Sequence, residues 1–118
     1  LKHGRYTSCL DKGTYLPMMY MDDAIRGTIE LVEAPAEKIG TRMSYNISAM
    51  SFAPEEVAAA IQKHIPSFEI DYAPDYRQQI AEGWPASIDD SAARNDWGWQ
   101  HRFDLEKMTV EMLRHLSI

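Results

Sequence analysis

The sequence is short of several things that would have declared a function. Its six glycines stand at 4, 13, 27, 40, 83 and 98, so neither G-x-G-x-x-G nor a P-loop can be written, and a phosphate-cradling nucleotide loop is excluded. A single cysteine, Cys9, rules out an internal disulfide and fits a reducing compartment. With no metal-like spacing around it, Cys9 reads as a buried small hydrophobe rather than a nucleophile. The histidines at 3, 64, 101 and 115 pair at no metal-ligand interval, and no metal site is expected. The longest apolar run, "YLPMMYM", is far below the ~20 residues that span a bilayer, so no membrane partner is expected. Twelve scattered Lys and Arg under a net charge of −6 oppose phosphate-backbone binding, and no nucleic-acid partner is expected. The chain opens on Leu1 rather than Met and shows no leader, and it reads as a piece of something longer.

What remains is an ordinary globular composition, 45% hydrophobic and 25% charged over 118 residues, enough for one domain with a core. "YTSCL" and "YLPMMYM" are strand-like runs separated by the turn chemistry of "DKGT", which predicts a hairpin or paired strands. Asp22 and Asp23 open a helix whose apolar positions, Ala24, Ile25, Thr28, Ile29 and Val32, recur at three and four residues until Pro35. Gly27 inside it marks close packing against a neighbour, or simple tolerance. "MSYNIS" reads as a strand. "SFAPEEVAAAIQKHIP" is a helix with Pro54 at its first position, Val57, Ile61 and Ile65 inward, and Pro66 as its stop. Its cap position holds Ala53 where a hydroxyl would complete a capping box with Glu56.

The alternation in "FEIDY" predicts a half-buried strand. Helices follow over "YRQQIAE" to Gly83, from Asp89 or Asp90 to Trp97 with Gly98 as a left-handed stop, and from Asp104 onward with Leu105, Met108, Met112 and Leu116 as the core stripe. The class is mixed α and β. The Asp22/Asp23 and Asp89/Asp90 pairs have the composition of an acid–base couple, but both open helices, where capping is the plainer role. Met18 and Met19 suit either a flexible pocket wall or gap-filling core. The three tryptophans fall within sixteen residues: Trp97 and Trp99 flank a helix stop and read as structural, while Trp84 sits in a loop after Gly83, outside any amphipathic stripe, and is the substrate-binding candidate.

"LPMMYMDDAIRGTIELVEAP", "MSFAPEE", "KHIP" and "WPASIDDS", followed by "DDSAARNDWGW" and "FDLEKM", closely resemble the C-terminal part of the short-chain-dehydrogenase type of L-threonine 3-dehydrogenase, within the extended NAD-dependent epimerase/dehydratase family. The resemblance runs from about Tyr6 to the C-terminus. It implies an α/β fold of Rossmann type in which residues 1–118 form the substrate-side portion of a longer dehydrogenase, without the NAD-binding half. It also implies oxidation of L-threonine to 2-amino-3-oxobutanoate with NAD as the parent's cofactor, in the cytoplasm or, in a eukaryote, the mitochondrion. The family's Tyr-x-x-x-Lys is absent, since none of Tyr6, Tyr15, Tyr20, Tyr45, Tyr72 or Tyr76 has Lys four residues on. No catalytic or cofactor-binding residue is therefore carried over to this chain, and the chain alone is expected to be inactive.

Nucleotide-sugar epimerases of the same family carry an Arg and then an acidic residue where Trp84 and Ser87 stand here. An Arg suits a phosphate, whereas a Trp closes a small pocket around an amino acid. The alternatives are such an epimerase and a free-standing interaction module. Sheet edges left open by the missing half invite homo-oligomerisation.

Overall fold

A computed structural model describes residues 3–40 and 44–116. The elements run β1 (Arg5–Ser8), β2 (Leu16–Met18), α1 (Met21–Glu33), a 3₁₀ turn (Ala36–Lys38), β3 (Met50–Phe52), α2 (Pro54–Gln62), β4 (Glu69–Tyr72), α3 (Tyr76–Glu82), α4 (Ser91–Trp97) and α5 (Leu105–Leu116). Mixed α and β is thus the observed class.

The expected hairpin does not form. β1 pairs in parallel with β4, Tyr6 opposite Ile70, and β2 pairs antiparallel with β3, Leu16 opposite Phe52. The connection between β1 and β2 is drawn elsewhere. Thr14 N–H closes a turn on Asp11 O at 3.2 Å. The Gln78 carboxamide of α3 accepts from Asp11 N–H at 2.8 Å and donates to Thr14 Oγ1 at 2.9 Å.

The "MSYNIS" strand is also overturned: residues 44–49 are irregular and β3 starts at Met50, Met43 lying outside the described residues. The ladder groups of Ser48 are already taken, its N–H by Asp90 Oδ2 at 3.1 Å and its carbonyl by Trp99 Nε1 at 2.9 Å.

Helix boundaries follow local chemistry except at the end of α2, which stops at Gln62 rather than at Pro66. α2 begins at Pro54, which needs no N–H there. α3 is capped by Asp75, which accepts from Arg77 N–H at 2.9 Å. α4 ends on Gly98 at φ 76°, a conformation free of Cβ strain only for glycine. α5 packs on α2, with Glu106 accepting from Lys63 at 3.1 Å and lying 3.3 Å from His64 Nε2. Its expected stripe is only half right. Leu105 and Met108 are partly covered, but the buried position is Thr109, and Met112 and Leu116 are exposed.

The molecule is a slab of 51 × 34 × 17 Å with a radius of gyration of 16.9 Å, where a compact domain of this length has about 13–14 Å. So thin a layer buries little. The largest fully buried side chains are Trp99 and Asp23. Met21, Ile25, Ile29 and Val32, one turn apart along α1, are all more than half exposed, an apolar stripe without cover among the described residues.

Candidate functional site

The loop that carries Trp84 is held from both sides. At its start, Gly83 and Trp84 N–H bond back to Ile80 and Ala81 carbonyls at 3.1 Å, closing α3. Further on, Ser51 Oγ of β3 donates to Ala86 O, and Asp89 Oδ1 accepts from Ser91 N–H at 2.9 Å to cap α4. Asp90 instead accepts from Ser48 N–H and from Arg94 Nε at 2.9 Å. Burial pushes the Asp90 carboxyl up, but Arg94 and the Ser48 N–H outweigh it and hold it below the usual carboxylate range. The Asp89/Asp90 pair is therefore a clamp and a cap, with no shared proton.

The other pair separates in the same way. Asp22 is exposed at the start of α1, while Asp23 is 1% exposed and does not cap its own helix. Its carboxylate accepts from Arg102 N–H and Phe103 N–H, both at 2.9 Å to Oδ2, and from Arg26 Nη2 at 2.9 Å. Burial alone would raise its pKa. The bonds from Arg26, Phe103 and Arg102 prevail and keep it lowered.

Arg26 in turn donates to Gln100 O at 2.6 Å and lies 4.9 Å over the Trp99 ring. Gly27 lets that ring approach: a Cβ there would sit 2.8 Å from Trp99 Cζ3. Asp23, Arg26, Gly27 and Trp99 thus clasp the segment after α4 onto α1. Sequence reasoning read Trp99 as structural and Asp23 as a cap, and left Gly27 between close packing and tolerance. Nothing local distinguishes a capping Asp from one whose partners come from the far end of the chain.

Trp97 is half-buried, its ring 6.0 Å from those of Tyr45 and Trp99. Both tryptophans beside Gly98 are structural, and the fully buried one is Trp99. Trp84 is 61% exposed, and Tyr76 and Ile80 of α3 are exposed as well. A small cleft of about 80 Å³ opens beside the loop, lined by Met18, Met19, Ile47, Ser48, Ala49 and Ile88. Ile88 belongs to the Trp84 loop; the Trp84 ring itself is not part of the lining. The Met18–Met19 pair, left open in the sequence, is a cleft wall.

Three of the histidines have polar partners. His64 faces Glu106, His115 lies 2.8 Å from Glu111, and His101 Nδ1 lies 3.2 Å from Arg94. Among the described residues no three His, Cys, Asp or Glu side chains gather as metal ligands. The residues present do not fit a dinucleotide either. α2, which follows strand β3 directly, begins at Ala53–Pro54 with no glycine turn, and its Glu55 N–H is taken by Lys12 O at 3.2 Å, so the N–H groups that would cradle a pyrophosphate are not presented.

No family model matches the chain. Its sequence is 53% identical over 114 residues to the mitochondrial L-threonine 3-dehydrogenase of Sus scrofa, covering 96% of this chain and 30% of that protein. An uncharacterized epimerase/dehydratase of Staphylococcus aureus is 54% identical over 118 residues, 99% of this chain and 37% of its own length. The crystal structure of L-threonine dehydrogenase from Phytophthora infestans superposes with a TM-score of 0.95 at 56% identity, over 98% of this chain and 38% of that one. The chain therefore spans about a third of the length of the curated relatives it matches. In fold and sequence the chain is similar to the C-terminal portion of L-threonine dehydrogenases, and in sequence also to proteins named epimerase/dehydratases. Within that group, the structure it matches so closely is an L-threonine dehydrogenase.

Proposed function

We propose that this chain is the substrate-side portion of an NAD-dependent L-threonine 3-dehydrogenase, which oxidises the threonine hydroxyl to the ketone of 2-amino-3-oxobutanoate. The observation that carries the reading is the likeness to an L-threonine dehydrogenase along nearly the whole chain. The slab shape and the uncovered α1 stripe support a unit completed by more polypeptide. The nicotinamide belongs to that remainder, since the residues described here offer no loop for it.

This chain's own contribution is to hold a loop in place. The Asp23–Trp99 clasp and the Ser51 and Asp90 tethers fix the segment from which Trp84 projects, and Trp84 contacts the amino-acid substrate. The enzyme works in the cytoplasm or, in a eukaryotic cell, the mitochondrion, and its open sheet edges favour association of like chains. The name borne by the Staphylococcus aureus relative keeps a second reading alive, an epimerase or dehydratase acting on a nucleotide sugar.

A single assay separates the two. The full-length parent is expected to form NADH with L-threonine and to leave uridine-diphosphate sugars unchanged, while the 118-residue chain alone forms none. Turnover of the sugar nucleotide without threonine oxidation would overturn the reading, and threonine-dependent NADH from the chain alone would overturn the placement of the chemistry in the remainder.

A further inference from the structure

The β2–β3 ladder ends at Met18 opposite Met50. Beyond that pair the two chains part, Met19 leading into α1 and Ala49 back into the irregular segment 44–49. The gap between them is the cleft of about 80 Å³ beside the Trp84 loop, with Met18, Met19, Ile47 and Ala49 as walls and Ile88 of the loop on the remaining side. Ser48, the one polar residue of the lining, has its backbone committed elsewhere, its N–H to Asp90 and its carbonyl to Trp99 Nε1. Met18 and Ile88 are 40% and 36% exposed, so the rim is open to solvent.

We propose that this cleft seats the methyl group of the substrate and sets which 3-hydroxy amino acids the parent accepts; the proposal rests on the threonine reading of the parent. Three observations support that occupant. The first is chemical: the ammonium, carboxylate and hydroxyl of threonine each need a polar partner on leaving water, and only its methyl enters an apolar lining without an unpaired group. The second is size. A water-sized group takes about 30 Å³, and a methyl is of that order, so the cleft holds a methyl with little room for a longer chain.

The third is position. Ile88 stands four residues after Trp84, and Ser51 Oγ donates to Ala86 O between them, so the loop that carries Trp84 is also the loop that closes the cleft. The adjacent methionines give that wall an adaptable surface that repacks around a small apolar group. A methyl held this way contributes about 10–200-fold in kcat/KM, and serine, which lacks it, leaves the cleft empty.

The test compares kcat/KM for L-threonine, L-serine and 2-amino-3-hydroxypentanoate in the full-length parent, followed by NADH formation. The parent should prefer threonine to serine by about ten-fold or more. Ala49→Val fills the cleft, and it should lower kcat/KM for threonine about ten-fold while leaving that for serine within about two-fold. Ile88→Ala, on the exposed rim, widens the cleft and should raise the pentanoate relative to threonine by about five-fold. It keeps the comparison available if Ala49→Val fails to fold.

Substrate ratios unmoved in a folded variant, or an equal loss on threonine and serine, would overturn the proposal and leave the dehydrogenase reading standing. A parent that oxidises none of the three amino acids would overturn the dehydrogenase reading itself.

Discussion

Asp23→Ala in the full-length parent should be strongly destabilising, although the same change one residue earlier should not. Asp23 is buried and takes N–H groups from Arg102 and Phe103 together with one Arg26 nitrogen. Removing it leaves two N–H donors without their acceptor, at about 1–3 kcal/mol each where water does not replace it, and leaves Arg26 without its buried partner. Breaking a buried pair from one side costs about 3–5 kcal/mol.

The lower end, about 3 kcal/mol, applies here because Arg26 keeps Glu30 at 2.6 Å and Gln100 O, and Arg102 is itself exposed and can regain water. Asp22, exposed in the first turn, contributes only its interaction with the helix end, about 0.3–1 kcal/mol. Urea unfolding followed by circular dichroism reads both. Equal losses for Asp22→Ala and Asp23→Ala would refute the clasp.

A pH series gives a second readout. The Asp23 carboxyl is lowered in the folded state, so its contribution is complete above the unfolded value of about 3.9 and is lost as pH falls through the lower folded value. The stability gap between wild type and Asp23→Asn should be flat above about pH 5 and shrink below about pH 4.

Gly27→Ala should cost about 1–3 kcal/mol in thermal unfolding despite the better helix propensity of alanine, because the new Cβ meets Trp99 Cζ3 at 2.8 Å and Ile47 Cδ1 at 3.0 Å. Trp99→Ala should cost about 3–5 kcal/mol, because Trp99 is the fully buried ring, and more than Trp97→Ala, whose ring is half-buried. Trp84→Ala should weaken threonine binding or turnover in the parent while leaving its melting temperature nearly unchanged; unfolding at unchanged affinity would make Trp84 structural. Ala53→Thr should gain less than the about 0.5–2 kcal/mol of an ordinary N-cap, since Ala53 is wholly buried and the Glu55 and Glu56 N–H groups already donate to Lys12 O at 3.2 Å and Ala53 O at 3.0 Å; a denaturant midpoint raised by the full amount would refute this.

The sequence by itself determined the elements whose cause is local. α2 starts at Pro54 and α3 and α4 stop at Gly83 and Gly98 as expected, although α2 ends at Gln62, short of Pro66, and α1 starts without a side-chain cap; β4 follows the alternation of "FEIDY", because a helix period or a glycine stop is a property of neighbours a few residues apart. It also read Trp99 as structural and left Gly27 between close packing and tolerance, of which the structure shows the packing. Pairing was decided only by the tertiary structure. β1 lies against β4 rather than β2, since a parallel pair is made through a long crossover whose outcome depends on everything between.

The same reason separates Asp23 from Asp22 and leaves 44–49 irregular: the partners of Asp23 are Arg102 and Phe103, and those of Ser48 are Asp90 and Trp99, contacts that no local pattern records. The apolar stripes of α1 and α5 show the limit most plainly. Their period encodes that a face is to be buried, but Ile25, Ile29, Met112 and Leu116 stand exposed here, because what covers a face is settled by the rest of the fold.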